Sequence, residues 1–254
     1  MTAIEEVINR FCGADPTRPA LQKPICHDGR IVATDGRIAI LCRRAFAEDL
    51  YARLETTKDP GDISGQVSGF IREDVGAVVA GYKKPFPLSW AASAADLAIV
   101  DARQNAERNL CPYDPDDPGD EPDTYDAVIA RNAMVILDAP ARPVVAAVYV
   151  RLILDAVGSF GGPAPNCYVA DDIDATRLGP LRKEAVSRLL FRDDESYLQI
   201  VLMPMRVPKD TTRVPWCTNV SVADARTGAL VWSGDADTPP DFSELRFHGE
   251  AGNA

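Results

Sequence analysis

The chain has 254 residues, 46% of them hydrophobic, enough to bury a sizeable core in one large domain or two small ones. Its formal net charge of −11 excludes a protein whose bulk charge neutralises phosphates, although an acidic chain can still carry a locally basic surface. The six cysteines are dispersed without a C-x-x-C pair and there are only two histidines. A zinc centre is therefore not expected, and buried thiols in a reducing cytoplasm are. No cofactor motif and no apolar run of membrane-spanning length is seen, and no signal peptide is expected.

Thr2-Ala3-Ile4-Glu5 has the form of a capping box. Ile4, Val7, Ile8 and Phe11 then recur at helical spacing, which predicts an amphipathic helix over residues 4–12, stopped at Gly13. Asp15-Pro16-Thr17-Arg18-Pro19 is turn chemistry. Three short strands follow: Ile25-Cys26, Ile31 to Ala33 and Ile38 to Leu41. They are joined by tight turns at His27 to Arg30 and at Asp35-Gly36, whose central residues are expected to favour positive φ. Residues 45–54 suit a short helix, 58–69 a loop and 75–80 a strand.

Lys83 to Pro87 reads as a turn, since its prolines exclude a central strand. Ala94 to Arg108 fits helix or strand. Cys111 to Asp126, proline-rich and acidic, reads as a solvated linker lacking the alternating ligands of an EF-hand. Val128 to Leu137 reads as two strands around Arg131-Asn132, and Val144 to Val157 as a buried helix ended by Gly158. Strands are expected at 167–169, 186–191 and 198–203. A last hairpin, 219–222 with 229–232, turns at Thr227-Gly228. No internal repeat is evident. The order predicts an α+β fold with antiparallel sheets, and no strand–glycine loop–helix series supports a doubly wound one.

The nucleophile elbow, the Walker loop, the dinucleotide fingerprint and the zincin motif are all missing. Cys26 beside His27 is the one arrangement resembling a nucleophile and base, but neighbours on a strand belong to opposite faces. A small Cys/His hydrolase is thus a distant alternative, and the expectation is a protein that is not an enzyme. Asp171, Asp172 and Asp174 could take a hard cation, with a solvated strand end the blander account. No residue is assigned to a metal.

Two separated phrases carry more information. Ala33-Thr34-Asp35-Gly36-Arg37-Ile38-Ala39 follows the first helix and the Thr17-Arg18-Pro19 turn. Leu202-Met203-Pro204-Met205-Arg206 follows the helix holding Tyr149-Val150-Arg151-Leu152. Together they resemble landmarks of the bacterial DNA polymerase III β sliding clamp. The similarity covers about residues 2–42 and 144–207. It departs from the family in lacking a histidine between Gly36 and Arg37, and in running on past Arg206 to residue 254.

The resemblance implies a DNA-clamp-like α+β fold, two helices packed on antiparallel sheets. It implies one clamp-like domain over 1–207 with an insertion at about 43–127, or two such domains, 1–92 and 93–207. Residues 208–254 form a C-terminal extension. It further implies a sliding-clamp-like accessory protein of DNA replication or repair, bacterial or phage-encoded and cytoplasmic. The expected partners are peptide motifs of DNA polymerase or other DNA-processing proteins, with duplex DNA and a homo-oligomer as further expectations.

By the same resemblance the peptide site comprises Thr34, Gly36, Arg37, Ile38, Val201, Met203, Pro204, Met205 and Arg206. Methionines suit a groove that accepts varied apolar side chains, and an arginine supplies donors for carbonyls or carboxylates. The predicted helices carry Glu5, Glu6, Asn9, Arg10, Arg151 and Asp155, which is no basic rail. Nucleic-acid-binding residues are therefore unassigned, and a clamp-fold adaptor that does not encircle DNA is the main alternative.

Overall fold

The computed structural model describes residues 3–27, 30–42, 50, 54–57, 63, 82–86, 88–108, 110, 124–137, 143–161, 165–169, 189–192, 198–205 and 219–234. Within them the protein is mixed α+β, with two sheets. It divides into two compact units, one of Met1–Phe86 with Leu152–Pro204, the other of Pro87–Arg151 with Met205–Ala254.

The first unit contains helix α1 (Ala3–Arg10) and strands β1 (Ile25–His27), β2 (Arg30–Thr34), β3 (Ile38–Cys42) and β4 (Tyr82–Pro85). It also holds most of α4 (Ala147–Phe160), with β7 (Asn166–Val169), β8 (Leu189–Arg192) and β9 (Leu198–Leu202). The seven strands form one antiparallel sheet in the order β1-β2-β3-β9-β8-β7-β4. A helix followed by three strands occurs twice, and the two third strands, β3 and β9, meet at the centre with Ile40 opposite Ile200. Six of the strands thus read alike from either end. No repeat is visible in the sequence because equivalent ladder positions keep apolar character rather than identity: Ala33 pairs with Ile40 where Phe191 pairs with Ile200.

Both faces of this sheet are covered, so β3 and β9 are buried along their whole length. One face gathers Val32, Ala39, Leu41, Leu190 and Val201, with Ile63 and Tyr168 against them. By strand alternation the other face carries Ile31, Ile40, Phe191 and Ile200, all essentially inaccessible. The Phe191 ring meets that of Phe86 edge-on, centroids 4.9 Å apart. Helix α1 buries Val7 and Ile8, and Phe11 just past its end is buried with them, while Ile4 of the expected stripe is only half-buried. Its Arg10 pairs with Asp155 of α4 at 2.8 Å.

The second unit contains α2 (Leu88–Gln104), α3 (Tyr125–Asn132), β5 (Ala133–Ile136), β6 (Val144–Ala146), β10 (Val220–Asp224) and β11 (Leu230–Gly234). Its sheet runs β11-β10-β5-β6, with β10 parallel to β5 and the other pairs antiparallel. Helix α2 buries Ala91, Ala94, Ala95, Ala98 and Ala102, a stripe small enough to lie close on β5 and β10. Alanine's propensity resolves the ambiguous stretch as helix.

Several local expectations are corrected. Residues 125–132 form one helix rather than the end of a linker, a first strand from Val128 and a turn at Arg131-Asn132: the Thr124 hydroxyl caps the Ala127 N–H at 3.2 Å, and Val128, Ile129 and Asn132 are buried at helical spacing. Val144–Ala146 is a strand that leads into α4. That helix runs through Gly158 to Phe160 and is closed by Gly161, where φ is +65° and the N–H donates to the Val157 carbonyl at 3.2 Å. Lys83 to Pro85 lies in β4, an outermost strand, the place a sheet tolerates proline. The last hairpin stands as expected, but its β10 also continues the β5 sheet.

The capping Thr2, the Asp28-Gly29 turn, most of the 45–54 helix and the 58–69 loop, the 75–80 strand, the 111–123 linker and Asp171, Asp172 and Asp174 lie outside the described residues. No described helix is long and apolar enough to cross a membrane.

Candidate functional site

The site is built at one end of the central β3–β9 pair, and it starts with a turn. Thr34 and Ala39 are the last paired residues of the β2–β3 hairpin. Beyond them Asp35 N–H donates to the Ile38 carbonyl at 3.3 Å, leaving Gly36-Arg37 as the two central residues. The pair is therefore one residue later than the expected Asp35-Gly36. Gly36 takes φ +91°, the first central position at which a type II′ turn calls for glycine.

Asp35 does different work from that expected. Its Oδ1 accepts the N–H groups of Arg37 at 2.7 Å and Ile38 at 2.9 Å, so the side chain stands in for a turn carbonyl. The Thr34 hydroxyl donates to the Ile38 carbonyl at 2.7 Å and accepts the Gly36 N–H at 3.0 Å.

The second phrase arrives alongside. Ile38 pairs with Leu202 and Ala39 with Val201. One step past the strand, Met203 N–H donates to the Arg37 carbonyl at 2.8 Å. The two phrases, more than 160 residues apart in sequence, are hydrogen-bonded neighbours. Gly36 and Arg37 are exposed, and Met203 is 45% exposed. Thr34, Ile38, Val201 and Pro204 are buried, so they hold the turn and strand in place rather than offering contact surface. Met205 belongs to the other unit, where its N–H donates to the Val144 carbonyl at 2.8 Å. Arg206 lies outside the described residues.

A third segment, not among the expected site residues, packs on the turn. Gly13 N–H donates to the Leu21 carbonyl at 2.9 Å, and a Cβ on Gly13 would sit 3.5 Å from the Asp35 Cα. Within this segment Asp15 Oδ1 accepts from the Thr17 hydroxyl at 2.6 Å and from its N–H at 2.8 Å. Those bonds, the hydroxyl's first, hold the Asp15 carboxyl below the usual carboxylate range. The turn places Arg18 so that its Nη1 would lie 3.4 Å from a Cβ on Gly36. The clue in the sequence was the turn chemistry of residues 15–19, which marks a bend without saying what it approaches.

Cys26 and His27 follow one another along β1, and successive strand positions belong to opposite faces. Among the described residues no group of three or more His, Cys, Asp or Glu is arranged to hold a metal. Burial, with Asp35 nearby, pushes the Cys12 thiol up to about 12, and burial alone does the same for Cys42 and Cys167. These thiols stay protonated at neutral pH. Iodoacetamide at pH 8 is expected to leave all three unmodified in the native protein and to alkylate them in 8 M urea (roughly full unfolding), read by peptide mass mapping. Because their folded values lie above the unfolded one, they stabilise the fold fully below about pH 9, and that contribution declines as pH rises towards 12.

Comparison with known proteins returns no match to the chain: no described protein family, no curated protein and no solved structure.

Proposed function

We propose that this protein is a sliding-clamp-like interaction protein of DNA replication or repair that acts in the cytoplasm by binding rather than catalysis. It holds short peptide motifs of polymerases or other DNA-processing proteins at the exposed end of β3 and β9. The observation that carries this reading is the bond from Met203 N–H to the Arg37 carbonyl, which joins the two clamp-like phrases on one surface. The first unit adds support, with two helices and an antiparallel sheet of the kind the resemblance implies. An exposed methionine next to an exposed arginine suits an apolar peptide side chain flanked by polar backbone.

The adaptor form of this reading is preferred to a ring tracking duplex DNA. The cations on the relevant helices already face acids, Arg10 with Asp155 at 2.8 Å and Arg151 with Asp96 at 3.5 Å. Paired cations release few counterions from phosphates, and the chain carries −11 overall.

Met203→Glu tests the site. The side chain is 45% exposed, so the unfolding midpoint should stay within the ±0.5 kcal/mol of an ordinary surface change. Affinity for a polymerase-type peptide should fall at least tenfold, about 1.4 kcal/mol, by isothermal titration calorimetry. An affinity equal to that of the wild type would refute this surface as the peptide site. A salt-sensitive affinity for duplex DNA, with an oligomer in sedimentation, would restore the ring.

A further inference from the structure

We infer that the outer edge of β11, with the flank of α2 beside it, is a second binding site, which takes an extended segment of a partner protein as an added strand carrying an apolar side chain and a lysine or arginine. The packing of α2 on the β10–β11 hairpin builds it. Ser221 Oγ donates to the Asp101 carboxylate, and a Cβ on Gly228 would meet Ser93, so one flank of α2 runs along this side of the sheet. Leu97 stands midway between Ser93 and Asp101 at helical spacing, and Trp90 is about one turn before Ser93. Across the ladder Ser233 pairs with Ser221, and the register shift after Val222 brings Leu230 opposite Ala223, so Ser233 and Leu230 share the face on which α2 lies. Trp90 is 51% exposed and Leu230 39%, which leaves an apolar strip along the edge strand.

Among the described residues β11 pairs with β10 alone, so its outer edge meets no strand. Edges that must stay solitary carry charges or proline. In the first sheet β4 holds Lys83, Lys84 and Pro85, and β1 is bridged at Ile25 by Thr57. At the far edge of the second sheet the Val144 carbonyl of β6 accepts the Met205 N–H at 2.8 Å. Leu230-Val231-Trp232-Ser233-Gly234 has neither charge nor proline. Main-chain bonds along such an edge give an added strand its affinity, and its alternate side chains give selectivity. Here Asp101 selects. It is half-buried, and its Oδ2 accepts from Ser221 and, at 3.4 Å, from Asn105 Nδ2, both neutral. Among the described residues no cation pairs with it, and Arg103, two residues on, lies on the opposite side of the helix. A carboxylate at the end of an apolar strip calls for a base from the occupant. From Leu97 to Asp101 the helix rises about 6 Å, and two residues of strand span about 6.8 Å. The apolar and basic residues of the occupant are therefore two apart. A second copy adding its own β11 fits less well, since that strand has no base to offer Asp101.

The test is a displayed random dodecapeptide library, cleared of peptides that bind the Leu230→Lys protein and then selected on the full-length wild type. Leu230 is exposed, so that variant is expected to fold, which thermal unfolding checks. Peptides with Lys or Arg two positions from an apolar residue should be enriched. On Asp101→Asn, which keeps the acceptor for Ser221 and removes the charge, a selected peptide should bind about tenfold more weakly. N-methylation at alternate peptide positions should abolish binding, and at the intervening positions leave it unchanged, because only every other amide of an added strand faces β11. That pattern is read on the wild type, so it decides the case even if Asp101→Asn does not fold. No peptide left after clearance, no bases among those selected, or N-methyl effects without alternation would overturn the site and leave the β3–β9 reading standing. Sedimentation as a dimer that Leu230→Lys returns to monomer would assign the edge to a second copy and also overturn it.

Discussion

Phe191→Ala is expected to destabilise the protein by about 3–5 kcal/mol, the largest effect of any single truncation considered. Phe191 is 1% exposed and lies opposite Ile200 on β9 and Cys167 on β7, so three strands share the void it would leave. Phe86, 3% exposed, would lose its edge-on ring partner. The geometry of that pair contributes about 0.5–1.5 kcal/mol beyond area burial. A double-mutant cycle with Phe86→Ala isolates this part, read from urea unfolding. A coupling near zero would mean that the rings do not meet. The consequence for the site is indirect: β8 supports β9, and β9 carries Met203 to Arg37. Peptide affinity should therefore fall together with the folded fraction, and recover at temperatures where the variant is fully folded.

Gly228→Ala is expected to cost about 2–5 kcal/mol, for two separable reasons. Gly228 takes φ +71° at the β10–β11 turn, a conformation that costs an L-residue about 1–2 kcal/mol. A Cβ there would also stand 2.7 Å from Ser93 Cβ on α2, an overlap of the kind that costs about 1–3 kcal/mol. Ser93→Gly removes the second reason and leaves the first. In the background of that exposed substitution, Gly228→Ala should cost only the backbone part. A loss that does not change between the two backgrounds would contradict the docking of this turn on α2. An unperturbed Gly228→Ala variant would contradict both components.

Met203→Glu probes recognition, whereas these two changes probe the scaffold. The distinction follows from burial. Thr34, Ile38 and Val201, expected to contact a peptide, are covered by the protein. Truncating them should alter stability first and affinity only as a consequence. The exposed surface is narrower, consisting of Gly36, Arg37 and Met203, with Arg18 added from a turn that no motif marked as functional.

Where local chemistry is decisive, the sequence was legible. Apolar spacing over Ile4 to Phe11 marked α1, and the apolar runs around Asp35-Gly36 marked the β2–β3 hairpin. Thr227-Gly228 marked the turn of the last one. Val128 and Ile129 favour strand by type, while the Thr124 cap and packing against α2 make them part of a helix. The turn falls at Gly36-Arg37, one residue beyond the Asp35-Gly36 pair, and Asp35 closes it with its carboxylate rather than its carbonyl.

By itself, then, the sequence determined the α+β class, the hairpins and the two phrases that suggest a peptide site. Hydrophobic period and turn residues act over a few positions, and they survive in a linear text. Tertiary structure alone decided that β3 pairs with β9, that Met203 bonds to Arg37 and that Arg18 stands over Gly36. It also decided that the chain divides by segments that alternate along its length. Those outcomes depend on which buried faces fit together across more than a hundred residues. Many apolar sequences satisfy burial equally well, so that choice leaves no local mark.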